Sequence, residues 1–347
     1  MRELLKVGLV GYGYASKTFH APLIAGTAGV KLAAISSSDA EKVKSDWPNI
    51  PVVSRPEDLF NDPDIDLIVI PTPNDTHYPL AQKALAAGKH VVVDKPFTIT
   101  VEQAESLKEQ AEKADLLLSV FHNRRWDSGF LTIKSLIKEN RLGKLKYFAS
   151  HFDRYRPIIR QRWREAAGQG SGIWYDLGPH LLDQAVQLFG KPQSITADLG
   201  MIRPQAEAVD YFHVLLNYPD IKVVLHATTL AVAESAVYTL HGMAGSYVKY
   251  GLDPQEERLK AGERPPHADW GYDIRDGIVT LSHGEELVTE HVPTLPGNYS
   301  AYYAAIRDAI MLGKPNPVTA NEAIQIMKLI EAGIQSAEQQ CTVAISC

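Results

Sequence analysis

The chain has 347 residues, 45% of them hydrophobic and 22% charged, and a formal net charge of −6. That length suits roughly two domains of about 150 residues each, and the negative charge argues against nucleic acid or an anionic membrane surface as partner. No apolar run approaches the ~20 residues of a membrane span, and two cysteines, Cys341 and Cys347, supply neither a disulfide framework nor a thiolate metal site. The opening MRELLKVGLVGYG enters a folded pattern without a signal-peptide cleavage site, so a cytoplasmic enzyme is expected.

Residues 1–122 alternate short apolar runs (LLKVGLV, VKLAAIS, IDLIVI, HVVVDK, LLLSVF) with amphipathic stretches such as TVEQAESLKEQAEKA. This reads as buried parallel strands joined by crossover helices, a doubly wound α/β domain that binds a dinucleotide. Behind the first strand comes Gly11-Tyr12-Gly13-Tyr14-Ala15-Ser16. Gly11 permits a tight turn, and Gly13 lets the backbone approach a pyrophosphate at the helix N-terminus, with Tyr14 and Ala15 in the same turn. Ser16 stands where the fingerprint has Gly or Ala. A Gly-rich turn with no ligand is the competing reading, but a position just behind an N-terminal strand favours the dinucleotide.

The second strand ends AAISSSDAEK, with Ser36 and Ser37 where an NAD site carries an acid. Ser38 with Glu41 predicts a capping box, which places Asp39 in the first helical turn. Small hydroxyls with Lys42 nearby suit a 2′-phosphate, so NADP is favoured over NAD. Thr100 with Gln103 predicts a second capping box.

Residues 123–347 read as an α+β domain for substrate binding and oligomerisation. A helix-like stretch over 124–140 leads to a strand in GKLKYFASHFDRY. Between 193 and about 290 the strands DYFHVLLNY, IKVVLHATTLA, AVYTLHG, GSYVKYG and GIVTLSHG form a largely antiparallel open sheet, with NYPDIKV as a hairpin turn. Helices over 298–313 and 320–336 close the chain. DYFHVLLNY and IKVVLHATTLA are apolar at odd and even positions, which predicts a second covered face and a homodimer or homotetramer through this sheet. The segment DRYRPIIRQRWRE carries five arginines between 154 and 164, interleaved with Tyr155 and Trp163. It reads as a solvated loop or as a lid whose side chains contact substrate hydroxyls. Basic-aromatic texture also tracks phosphate backbones, but no nucleic-acid motif accompanies it.

The Gly-rich start, PTPNDTHYPLAQKALAAGKHVVVDKPFTITVEQA and GIWYDLGPHLLDQ stand in order and resemble the glucose–fructose oxidoreductase / inositol dehydrogenase (Gfo/Idh/MocA) family. The similarity extends to YYAAIRDAIMLGKPNPVTANEAIQIMKLIE, while FHAPLI, FHNRRWD and WYDLGPHLLDQ resemble its NADP-dependent scyllo-inositol dehydrogenases. The resemblance implies an NAD(P)-dependent oxidoreductase acting on a secondary hydroxyl of a cyclic polyol or sugar. It implies a catalytic set made of a lysine before proline, here Lys95-Pro96, and an Asp-x-x-x-His pair, here Asp176 and His180. The Lys-Pro bond is often cis in the family, a geometry accessible before proline. Thr72, Asn74 and His77 match a segment lying along the cofactor, with His77 expected near the pyrophosphate or nicotinamide. Asp94 replaces the usual glutamate before the lysine and keeps its charge.

Oxidising a secondary alcohol requires a base within reach of the hydroxyl as hydride leaves its carbon. Lys95, at the carboxyl end of a parallel strand, can hydrogen-bond the alcohol and stabilise alkoxide charge. His180 is the natural proton acceptor, and Asp176, one helical turn earlier, can orient the substrate. The bland alternatives are a solvated lysine, an Asp176 that caps a helix begun by Pro179, and a half-buried histidine bonded to backbone. A metal held by Asp176 and His180 lacks further ligands. His122 and Arg124, which with Arg125 and Trp126 follow the last strand of the first domain, join Tyr155 and Trp163 as expected substrate contacts. Other functions open to this chain are reduction of a different carbonyl, a cofactor-retaining lyase or glycosidase, and a non-catalytic dinucleotide sensor.

Overall fold

The computed structural model describes residues 4–345, so Cys347 lies outside the described residues, while Cys341 is exposed. The strands β1 (Leu5–Val10), β2 (Val30–Ser36), β3 (Val52–Val53), β4 (Leu67–Ile70), β5 (His90–Val93) and β6 (Leu118–Val120) make one sheet in the order β3-β2-β1-β4-β5-β6. Every neighbouring pair is parallel. Leu67, Ile68, Val69 and Ile70 are all buried, because a parallel sheet flanked by crossover helices has no solvated face. The strand order reverses between β1 and β4, so the connections leaving these strands part to opposite faces and open a crevice at their carboxyl ends.

Local capping is close to the sequence reading, with one shift. Thr100 accepts the N–H of Gln103, whose side chain reaches the N–H of Ile99, one residue before the cap. At the second strand the cap is Asp39, not Ser38: its carboxylate accepts the N–H of Lys42, and Ser38 is exposed outside the helix Ala40–Asp46. A charged acceptor gains more than a hydroxyl at the positive end of a helix.

The chain divides into two compact units. The first unit runs to Trp126 and adds Pro254–Trp270 and Asn298–Met327; the second holds Asp127–Asp253, Gly271–Gly297 and the chain from Lys328. The late segments of the first unit join it through its core. Tyr299, Tyr302, Tyr303 and Ile306 are fully buried there, with Tyr302 bonded to Ser119 at 2.8 Å and Tyr303 to His20 at 2.6 Å. Arg264 lies 3.9 Å over the Trp47 ring, and a Cβ on Gly26 would strike the Pro265 carbonyl.

In the second unit the strands are β7 (Leu145–His151), β8 (Ser194–Gly200), β9 (Tyr211–Asn217), β10 (Lys222–Thr228), β11 (Ala236–Gly242), β12 (Gly245–Tyr250), β13 (Gly277–His283), β14 (Glu286–Val292) and β15 (Val343–Ala344). Their order is β14-β13-β12-β11-β7-β10-β9-β8-β15, antiparallel except for the β7–β10 pair. β9 and β10 alternate more cleanly than their composition suggests. Phe212, Val214, Leu216, Val223, Leu225 and Ala227 are buried on one face, where Phe212 meets Trp174 edge-on at 5.1 Å. On the other face Tyr211, Leu215, Val224 and His226 are half-buried and His213 is exposed. The helix expected over 124–140 is a 3-10 turn, Asn123–Trp126, followed by an α-helix, Ser128–Lys138. No described helix is long and apolar enough to cross a membrane.

Candidate active site

In the first unit, the turn behind β1 is built by Gly11, whose φ of +77° excludes most side chains. Its N–H donates to the Ser36 carbonyl at 2.8 Å and faces the Ser36 hydroxyl at 3.3 Å. A Cβ on Gly11 would lie 3.3 Å from Thr72, so the loops behind β1 and β4 meet across the crevice. A Cβ on Gly13 would meet nothing within 4 Å. Beyond it Ala15 precedes a π-helical turn, Ser16–His20, a rare geometry that recurs at functional sites. The Ser16 hydroxyl is buried with no hydrogen-bond partner among the described residues. Open space over Gly13 and an unused buried hydroxyl at a helix start fit a pyrophosphate.

The end of β2 refines the reading of the ribose end. Ser36 is buried beneath the Gly11 amide and is already engaged. The Ser37 hydroxyl accepts the N–H of Asp39, whose own carboxylate is used as the cap. Tyr14 and Lys42 are exposed, and Lys42 makes no ion pair among the described residues. No acid is left free where an NAD site would use one, and a cation stands nearby.

At the carboxyl end of β5, Asp94 accepts the N–H of Lys95 at 2.7 Å and lies 3.6 Å from His20 Nε2. Burial works against its ionised form, yet His20, Lys95 and His77 together hold the carboxyl down at about 2. The Lys95–Pro96 bond is cis. His77 is wholly buried, its Nδ1 2.9 Å from the Pro96 carbonyl and its Nε2 2.8 Å from the Thr72 carbonyl. Both ring nitrogens therefore face backbone, and His77 joins the β4 and β5 loops. Burial pushes this ring toward neutrality against the pull of Asp94. Asn74, buried, opens the helix Asn74–Ala86, and the Thr76 hydroxyl donates to that of Thr72.

His122 is buried just past β6. Arg124 is buried too, and its guanidinium bonds Glu256 at 2.6 Å; Arg125 bonds Glu322 and the Pro317 carbonyl. Charges this deep persist only when paired, and Glu256 holds Arg124 within the first unit. His20 was not among the expected site residues. It lies within FHAPLI, and only its distance to Asp94 marks it.

In the second unit, Asp176 and His180 ride on the helix Gly172–Phe189. Gly172 starts it with a φ of +82°, where a Cβ would fall 2.8 Å from the Val209 carbonyl that accepts the Ile173 N–H. Asp176 is therefore inside the helix and is not its cap, and Pro179 is an interior residue that removes one backbone bond. Trp174 anchors the segment by donating to the Ile330 carbonyl at 3.1 Å, and Gly178 leaves room for its ring. The four-residue spacing puts Asp176, half-buried, and His180, buried, on one face. Arg164 Nε lies 3.4 Å from Asp176, and its guanidinium stacks 4.4 Å over Trp163. Tyr155 and Trp163 are exposed. The arginine-rich segment is partly knitted: Arg162 bonds Glu165 at 2.7 Å, and Arg203 pairs with Asp210 and Glu165.

Comparison with known proteins fits this geometry. Residues 5–122 match the family described as "Oxidoreductase family, NAD-binding Rossmann fold", and 134–345 match "Oxidoreductase family, C-terminal alpha/beta domain". The chain is 64% identical over 346 residues to the uncharacterized oxidoreductase YdgJ of Escherichia coli, covering 100% of each. It is 40% identical over 345 residues to scyllo-inositol 2-dehydrogenase (NADP(+)) IolW of Bacillus subtilis, covering 99% of this chain and 96% of the relative. The solved structure of YPO2259 from Yersinia pestis superposes with a TM-score of 0.97 at 68% identity, covering 100% of this chain and 99% of that one.

Proposed function

The chain belongs to the Gfo/Idh/MocA oxidoreductase family, and from that premise we propose that it is an NADP-dependent dehydrogenase acting on a secondary hydroxyl of a cyclic polyol or sugar. The observation that carries this reading is the β5 terminus: Lys95, before a cis proline, stands where doubly wound sheets place their ligands, beside a carboxylate held ionised. The NADP relative at 40% identity supports the class of alcohol and the cofactor.

Gly11, Gly13, Tyr14, Ala15 and Ser16 would hold the pyrophosphate, with Thr72 and Asn74 alongside and Ser37 and Lys42 toward the ribose. The bound nicotinamide supplies the acceptor for the hydride. Lys95 donates a hydrogen bond to the alcohol oxygen and stabilises its developing negative charge. His180 takes the hydroxyl proton, and Asp176 orients the hydroxyl-bearing ring. The experiment is a panel of inositols and sugars, scyllo-inositol first, offered with NADP and with NAD while reduced nicotinamide is followed by absorbance. Net NADPH from a polyol supports the proposal. Substrate turnover without net NADPH points instead to a cofactor-retaining lyase or glycosidase, and faster turnover with NAD reverses the cofactor assignment.

A further inference from the structure

We infer that the pocket beside Asp176 binds a carboxylate or phosphate group of the substrate, so that among the polyols and sugars of the proposed class an acidic one is preferred. The substrate assignment rests on the dehydrogenase reading; the anion site stands on the second unit alone.

The pocket is lined by five arginines, Arg154, Arg156, Arg162, Arg164 and Arg203, against two carboxylates, Glu165 and Asp176. Those carboxylates are already engaged. Glu165 takes Arg162 at 2.7 Å and Arg203 at 3.1 Å, and Asp176 takes Arg164 at 3.4 Å. Arg203 is satisfied further by Asp210 at 2.8 Å. Arg156 is different. Its backbone is fixed, the N–H on the Thr229 carbonyl at 2.7 Å and the carbonyl on Arg203 at 3.0 Å. Its guanidinium, half-buried, makes no hydrogen bond or ion pair among the described residues. Burial lowers its pKa and the neighbouring charges of Arg160 and Arg162 lower it again, while Asp176 and Glu165 pull it back up.

Asp176 and Glu165 act on it only from a distance, since both are bonded to other arginines, and a guanidinium drawn partly out of water among like charges gains from a counter-charge seated directly on it. Its planar fork of donors matches the paired oxygens of a carboxylate or phosphate. The site also includes Gly172 and Ile173, the opening turn of the 18-residue helix that carries Asp176 and His180, and that end of a helix favours negative charge. An acidic group seated on Arg156 would therefore bring the rest of the sugar to Asp176.

The test is calorimetric binding to the full chain with NADP present, at low ionic strength, using glucuronate, glucose 6-phosphate, glucose and inorganic phosphate. At least one of the two acidic sugars should bind about tenfold or more tightly than glucose, and the one preferred tells carboxylate from phosphate. Arg156→Ala should remove the advantage and Arg156→Lys restore part of it. Equal affinities for acidic and neutral sugars, no binding of any anion, or an advantage that survives Arg156→Ala overturns the inference. If Arg156→Ala does not fold, the wild-type comparison decides. Acid binding without net NADPH sinks the dehydrogenase reading and leaves the anion site standing; oxidation of neutral polyols with no preference for acids does the reverse.

Discussion

Around Lys95 the polar groups are closely accounted for. Asp94 takes its amide, His77 ties the next carbonyl back to Thr72, and His20 faces Asp94 from a buried position. Around Asp176 the arginines that line the pocket outnumber the carboxylates, and the Arg156 guanidinium makes no hydrogen bond or ion pair among the described residues. The first arrangement is tied together mostly by the protein's own groups, with His20 Nε2 left 3.6 Å from Asp94, which suits the catalytic role proposed for it. The second is incomplete, which suits a surface finished by the substrate. On the proposed reading, catalysis belongs to the strand terminus of the first unit and selectivity to the arginine-lined pocket of the second.

Three substitutions sharpen this contrast, the largest effect first. Lys95→Met should lower kcat by about a thousandfold or more, while the NADP dissociation constant by fluorescence titration changes only a few fold. A large loss of cofactor affinity would make Lys95 a cofactor anchor instead. His180→Asn should lower kcat by roughly a hundredfold with smaller change in KM, read from steady-state kinetics on the substrate the panel identifies. A change confined to KM would leave His180 as a binding residue.

The smallest effect is on stability. Asp94 has a carboxyl held at about 2, below its ordinary 3.8. A depressed carboxyl stabilises the fold above the unfolded-state value and loses that contribution as pH falls through the folded one. Asp94→Asn should therefore cost about 2 kcal/mol at neutral pH. Its deficit against the wild type should shrink between pH 3.8 and about 2. Urea unfolding of both proteins at neutral and acid pH measures this. A deficit that does not depend on pH would trace to packing and not to charge.

Much of the fold could be read from local pattern. Runs such as LIVI and HVVV are apolar throughout, and only a strand covered on both faces makes such a run. Asp176 and His180 share a face because of their spacing, which any sequence displays. Contacts between distant residues could not be read this way. Nothing local says that Tyr302 packs on Ser119, 183 residues away, or that Gly172 opens a helix because Val209 receives its next amide. The cap at Asp39 was missed by one residue because Ser38 and Asp39 each precede a helical amide by three positions. That His77 joins two loops could not be read either, because one carbonyl partner, Pro96, lies behind β5 and nineteen residues away. Among the arginines of 154–164, sequence does not show that Arg162 pairs with Glu165 and Arg164 with Asp176.

The most direct test of the central claim is absorbance of reduced nicotinamide when wild type and Lys95→Met are offered NADP and the polyol and sugar panel side by side. The account predicts net NADPH with at least one secondary alcohol for the wild type and next to none for the variant, with NADP still bound to both. NADPH formed at equal rates by the two proteins, or by neither on any alcohol of the panel, would contradict it.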